Sequence, residues 1–173
     1  MITRARFLNT PKDAKISKDT KIKKKRTCVY TDISQIDDYI FIGNKKIARD
    51  QKQLKKYKIN WVINCAKELE YIVDEYDNNI HWLWLPMVDS VHTGNIVPYI
   101  PKAIKFIDEA IHNGCKILIH CAAGISRSSS IAIAYLMHKH NLRYTRAFNR
   151  VIKKRPCCKP NSKFVKQLKE FIL

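Results

Sequence analysis

The stretch His120-Cys121-Ala122-Ala123-Gly124-Ile125-Ser126-Arg127-Ser128 puts a thiol, a glycine, a guanidinium and hydroxyls into nine consecutive residues. An apolar run, KILIH, leads into it, and a second apolar run, SSSIAIAYLM, comes after it. Read as strand, loop and helix, the segment lies where open α/β sheets build their sites. A loop of small residues can curl so that successive backbone N–H groups point inward and cradle an anion. A helix beginning near Arg127 adds its unpaired N–H groups and dipole, and the guanidinium adds a planar fork suited to phosphate oxygens. The same positive surroundings favour a thiolate. A free cysteine titrates near ~8.5, and helix N-termini or cations lower that value. The chemistry these residue types point to is a Cys121 nucleophile aimed at phosphorus. The competing reading of Cys121 alone, a small core residue at a strand end, leaves its neighbours His120, Gly124, Arg127 and Ser128 unexplained.

HCAAGISRS resembles the Cys-x5-Arg signature of protein tyrosine phosphatases. More narrowly it is similar to the His-Cys-x-x-Gly-x-Ser-Arg-Ser loop of the dual-specificity phosphatases. The resemblance extends over about residues 33–173 through DDYIFIGNKKIA, KYKINWVINCA, AYLM and KKRPCCKPNSKFVKQLKEF. It implies a protein tyrosine phosphatase-like α/β domain. It also implies hydrolysis of phospho-Tyr and phospho-Ser/Thr monoesters through a thiophosphate on Cys121. Ala122, Ala123, Gly124, Ile125, Ser126 and Arg127 would then bind the phosphate.

Such an enzyme must protonate the leaving oxygen as the P–O bond breaks, so it needs a general acid. LPMVDS places Asp89 just after a strand, 32 residues before Cys121, where the resemblance expects an Asp-bearing loop. Asp74, Asp77 and Asp108 lack that strand-end context. Two departures are visible: Val88 stands where the family usually has an acidic residue, and SVHTGN lacks the loop's usual acids. The resemblance makes Ser128 the hydroxyl that bonds the leaving thiolate in the second step. His120 is expected to orient the loop by hydrogen bonds, and its alternative is a satisfied core histidine. Cys65, in VINCAKE, resembles the back-door cysteine of some relatives and is a candidate redox partner of Cys121; its alternative is a buried core thiol. No cofactor or metal is expected, since adjacent His120 and Cys121 do not have zinc-ligand spacing.

The elements that must position these groups are legible as patterns. YIFIGN, WVINCA, IHWLWLPM and KILIHC are short apolar runs that read as strands of a buried sheet. KIARDQKQLKKYKI reads as one helix. PYIPKAIKFIDEAIHNG reads as another, with Ile100, Ile104, Ile107 and Ile111 on one face and Gly114 as its stop. SRSSSIAIAYLMHKHN is apolar nearly all round and is expected to be buried. TRAFNRVIKKR and NSKFVKQLKEFIL read as two amphipathic helices separated by PCCKP. The alternation predicts an α/β fold, a central and largely parallel sheet of four to five strands with helices on both faces.

The 173 residues suffice for one domain with a real core. The expected organisation is a basic flexible arm over residues 1–26 and a catalytic domain over residues 27–173. The net charge of +18 is concentrated at the ends: residues 1–26 carry +8, residues 139–173 carry +10, and the middle is balanced. KKKR at Lys23–Arg26 is a weak nuclear-import pattern. No apolar run is long enough for a membrane span, and the N-terminus lacks a signal-peptide core. A reducing compartment, cytoplasmic or nuclear, is therefore expected, with the six cysteines as free thiols. Phosphoproteins are the expected substrates, and the basic termini are open to an anionic partner. Two rivals differ in class. An RNA 5′-phosphatase would fit the basic ends, but AAGIS is neutral and no aromatic-interleaved nucleic-acid platform is evident. A non-catalytic phosphoprotein-binding module would need a lost nucleophile.

Overall fold

The computed structural model describes residues 32–70 and 78–171, so the arm expected over residues 1–26 lies outside the described residues. Among the described residues five strands form one sheet: β1 (Ile33–Gln35), β2 (Ile40–Gly43), β3 (Ile59–Asn64), β4 (His81–Trp84) and β5 (Lys116–His120). Their order is β1-β2-β5-β3-β4, with β1 antiparallel to β2 and the other pairs parallel. Among the described residues six α-helices accompany them: α1 (Lys45–Arg49), α2 (Gln51–Tyr57), α3 (Ile100–His112), α4 (Arg127–His140), α5 (Tyr144–Lys154) and α6 (Ser162–Glu170). The expected fold class is the observed one.

The central strands are apolar on both sides because both sides are covered. Side chains alternate across a strand with period two. Ile40 and Ile42 of β2, Trp61 and Ile63 of β3, and Ile117 and Ile119 of β5 enter the larger core with residues of α3, α4, α5 and α6. Phe41, Val62 and Leu118 point the other way, onto Ile47, Ala48 and Leu54 of α1 and α2. The helix α4 is buried from Arg127 through Met137, as its all-round apolar pattern predicts. In α3, Ile100 and Ile107 are buried with Ala103 and Ala110, and Ile104 and Ile111 pack more shallowly beside them.

Two elements differ from the sequence expectation. The single helix expected over KIARDQKQLKKYKI is two helices, broken at Asp50. That residue is extended (φ −93°, ψ 92°), ends α1, and accepts a hydrogen bond from Gln53 N as the N-cap of α2. A short carboxylate that bonds nearby backbone competes with continuous helix, and at Asp50 the cap wins. The strand β1 has no counterpart among the expected strands; it is three residues long and half exposed at an antiparallel edge.

The parallel strands end at one edge of the sheet. Gly43 and Asn64 are both in register with His120, and Trp84 is in register with Asn64. The chain leaving each of these ends is thereby delivered to the same place.

Candidate active site

Cys121 comes directly after the last residue of β5 and precedes a five-residue loop that turns into α4. The fate of each loop carbonyl decides what the loop can bind, since a buried backbone acceptor must be paired. Ala122 O accepts from Lys45 N at 3.2 Å, and Ile125 O accepts from Lys159 N at 2.9 Å. Gly124 O accepts from Arg155 Nε at 2.8 Å, and Ala123 O accepts from Arg155 Nη2 at 3.5 Å. Ser126 O accepts from Ser129 Oγ, from Ser130 Oγ and from Ser130 N. All five carbonyls are thus tied to the surrounding scaffold. In a planar peptide the N–H points opposite the C=O, so the amides of residues 123–127 turn toward the inside of the loop. The first sign of this is Gly124 N, which donates to Cys121 Sγ at 3.3 Å.

Gly124 is required for this curl. Its φ is +71°, and a Cβ there would lie 2.5 Å from Gly43 O and 2.7 Å from Arg155 Nη2. Arg155 itself is 1% exposed and also donates to Ser34 Oγ at 3.0 Å. One buried guanidinium therefore ties the outer face of the loop to β1.

Cys121 is buried at the floor of this cradle, with Ser128 Oγ 3.4 Å from its sulfur. Arg127 opens α4 and is 6% exposed. Its Nη1 and Nη2 donate to Glu68 Oε2 and Oε1 at 2.6 and 2.7 Å, and Nη1 also reaches Met87 O at 3.3 Å. Its Nε is buried without a hydrogen-bond acceptor and stands 3.7 Å from Asp89 Oδ2. Glu68 and the neighbouring charges of Cys121 and Asp89 raise the arginine's already high pKa against the opposing effect of burial. The bond from Arg127 lowers the Glu68 carboxyl below its ordinary value.

Asp89 lies at the same mouth. Its Oδ1 accepts from Ser126 Oγ at 2.8 Å and from Asn161 Nδ2 at 2.7 Å. Asn161 N donates to Ser126 Oγ at 3.1 Å, while Asn161 Oδ1 caps α6 by accepting from Phe164 N at 2.9 Å. His120 is wholly buried. Burial lowers its pKa to about 4, so at neutral pH it is an uncharged imidazole.

The structure thus brings together Cys121, Arg127, Asp89, Ser128 and the loop residues Ala122, Ala123, Gly124, Ile125 and Ser126, with His120 directly behind them. Cys65 is buried one residue beyond the end of β3, and its N donates to His120 O at 2.8 Å. Glu68, Arg155 and Asn161 also bond site residues, and nothing local in the sequence assigns them a role. Among the described residues, no group of three or more His, Cys, Asp or Glu side chains is arranged to hold a metal ion. No described helix is long and apolar enough to cross a membrane.

The family model described as "Dual specificity phosphatase, catalytic domain" matches residues 40–172. The dual specificity protein phosphatase Mpk3 of Drosophila melanogaster is 36% identical over 136 residues, covering 79% of this chain and 33% of that protein. Dual specificity protein phosphatase 1B of Arabidopsis thaliana is 34% identical over 140 residues, covering 81% of each. The chain spans about a third of the length of several curated relatives, between 28% and 35% in three of them. Among solved structures, the crystal structure of DUSP15 superposes with a TM-score of 0.74 at 29% identity, covering 80% of this chain and 86% of that one. The chain belongs to the dual specificity phosphatase catalytic-domain family.

Proposed function

We propose that this chain hydrolyses phosphate monoesters on tyrosine and on serine or threonine side chains of proteins, through a phosphocysteine on Cys121. The observation that carries the reading is the cradle itself. Five loop carbonyls are tied outward, the amides turn inward over the Cys121 sulfur, and the buried Arg127 Nε has no acceptor. A tetrahedral dianion offers the oxygens that this set of donors lacks.

In the first step the Cys121 thiolate attacks phosphorus in line with the departing oxygen, forming the S–P bond as the P–O bond breaks. Asp89 gives its proton to that oxygen. The loop amides and the Nε edge of Arg127 hold the equatorial oxygens as charge redistributes over them. In the second step water attacks phosphorus, the Asp89 carboxylate takes its proton, and the S–P bond breaks. Ser128 Oγ, 3.4 Å from the sulfur, stabilises the thiolate that leaves. His120, uncharged and buried, packs behind the cradle and does not move a proton.

Both phospho-Tyr and phospho-Ser/Thr peptides should be turned over. The test is release of inorganic phosphate from matched peptides by the wild type and by Cys121→Ser, together with acid-quenched mass spectrometry of the protein. A phosphate adduct on the Cys121 peptide supports the reading. Turnover that survives in Cys121→Ser would overturn it.

A further inference from the structure

Three exposed lysines on three separate segments have their main chains anchored beside the cradle. Lys45 N is bonded to Ala122 O and Lys159 N to Ile125 O, on the outer face of the loop. Lys67 N is bonded to Met87 O, the same carbonyl that Arg127 Nη1 reaches. All three side chains are exposed, and among the described residues none is in a carboxylate ion pair. The acids at the mouth are engaged elsewhere: Glu68 is held by Arg127, and Asp89 by Ser126 and Asn161. Counted without the lysines, and with Asp89 holding the proton it will donate, Arg127 against Glu68 and an ionised Cys121 leaves the mouth negative. A phosphorylated segment with further acids would be repelled by such a mouth. Three lysine charges within a side chain's reach of that mouth would reverse the sign.

From this placement we infer that Lys45, Lys67 and Lys159 form a specificity rim. The rim selects phosphorylated segments that carry additional acidic groups, carboxylates or a second phosphate, close to the phosphorylated residue. This deepens the proposed phosphatase reading and rests on it for the seat of the phosphoryl group. Screening at physiological salt sets the reach at ~8 Å. An extended peptide advances about 3.3–3.6 Å per residue, so the preferred acids lie within roughly three residues on either side. Exposed pairs are individually weak, so the selectivity comes from three such contacts acting together.

The experiment measures binding by fluorescence anisotropy on the Cys121→Ser protein, so that its outcome does not depend on turnover. Two phosphopeptides are compared, identical except that flanking Asp and Glu in one are Asn and Gln in the other. The acidic peptide is expected to bind about tenfold more tightly at low salt, with the ratio shrinking as salt rises. In the triple variant Lys45→Gln, Lys67→Gln, Lys159→Gln, on the same background, the ratio should fall to within twofold of unity. Glutamine keeps each main-chain bond, and the ratio within one protein is insensitive to small changes in folding. Equal binding of both peptides by the parent, or an undiminished ratio in the triple variant, would overturn the inference. So would a single-stranded RNA oligonucleotide of equal charge that binds more tightly than the acidic peptide and depends on the same lysines. Absence of phosphate release by the unmutated enzyme would count against the phosphatase reading alone.

Discussion

Glu68 grips Arg127 by the two Nη atoms, at 2.6 and 2.7 Å, and leaves Nε buried with no hydrogen-bond acceptor, 3.7 Å from Asp89 Oδ2. An arginine has one planar fork on its end and another along its edge. When a carboxylate fixes the end, the edge is aimed before any phosphate arrives. That saves the ordering cost of a long side chain, which is up to about 2 kcal/mol. Removing Glu68 has two opposed effects: it frees Arg127 to wander, and it removes a negative charge from the mouth. Glu68 is about half exposed, so its charge is well screened and positioning outweighs repulsion. Glu68→Gln is therefore expected to weaken vanadate inhibition and to lower kcat/KM by roughly 5–30-fold, within the span of that ordering cost. Tighter vanadate binding by Glu68→Gln would show that repulsion is the larger effect.

Asp89→Asn keeps the size of the side chain and its contact with Ser126 but has no proton to give. The expected loss in kcat is roughly 10²–10⁴-fold. The loss should be largest for poor leaving groups, such as the serine and threonine oxygens, and smaller for an activated aryl phosphate that departs without help. An equal loss on all leaving groups, in steady-state assays of an aryl series, would remove Asp89 from the general-acid role.

Asn161 has two tasks that one substitution separates. Its Oδ1 caps α6 and its Nδ2 holds Asp89. Serine caps helices about as well as asparagine, but its hydroxyl is too short to span to the carboxylate as well. Asn161→Ser should therefore melt close to the wild type while slowing turnover of poor leaving groups. Asn161→Ala should lose both, with about 1 kcal/mol of stability gone with the cap. Thermal melts and leaving-group kinetics read the two effects independently, and wild-type kinetics in Asn161→Ser would dismiss the positioning role.

The sequence carries the nucleophile, the acid and the phosphate loop in legible form because their chemistry is local: HCAAGISRS is continuous, and Asp89 sits at a recognisable strand exit. Glu68 and Arg155 are invisible there because their partners lie 59 and 31 residues away, at Arg127 and Gly124. The sheet order, which puts β5 beside β3, closes the first distance, and the packing of α5 on α4 closes the second. The helix break at Asp50 does have a local signal, a carboxylate positioned to cap α2, but the apolar spacing runs unbroken across it. The two-sided burial of the central strands is legible in their continuous apolar runs. The edge strand β1 is not, since three half-exposed residues carry no period.

His120 makes acid stability testable. Burial holds its folded-state pKa at about 4, below the ordinary 6.5. Between those values the unfolded chain binds the proton and the folded chain does not, so stability falls as pH drops through that window. Below about 4 both forms are protonated and this contribution is fully lost. The displacement corresponds to roughly 3 kcal/mol. His120→Gln, which cannot titrate, should flatten the acid limb of stability between pH 6.5 and 4. Chemical denaturation at a series of pH values checks this, and an unchanged slope would mean that other groups carry the acid sensitivity.

The last prediction concerns Cys65 and Cys121. Asn64 and His120 are paired in register on adjacent parallel strands, and Cys65 N donates to His120 O at 2.8 Å, so the two cysteines are the residues that follow two neighbouring strands. Adjacent strands lie about 4.7–4.9 Å apart, inside the Cα separation of about 4.4–6.8 Å that disulfides adopt. Burial raises the Cys65 pKa well above its ordinary value, and the Cys121 charge raises it further, so Cys65 is not itself the thiol that peroxide attacks first. The expected order is oxidation of Cys121 to the sulfenic acid by hydrogen peroxide, releasing water, and then attack of the Cys65 sulfur on the Cys121 sulfur. The second step forms the S–S bond and releases a second water. Cys158 is the competing thiol, electrostatically coupled to Cys121 but raised to about 12 by burial. Mild peroxide and then non-reducing peptide mapping should yield a Cys65–Cys121 linked peptide, with activity restored by a thiol reductant. In Cys65→Ser the sulfenic acid has no such partner, so more Cys121 should pass to the irreversible sulfinic and sulfonic acids and recovery should fall. Equal recovery in both proteins, or a Cys121–Cys158 link in place of the expected one, would reject Cys65 as the resolving cysteine.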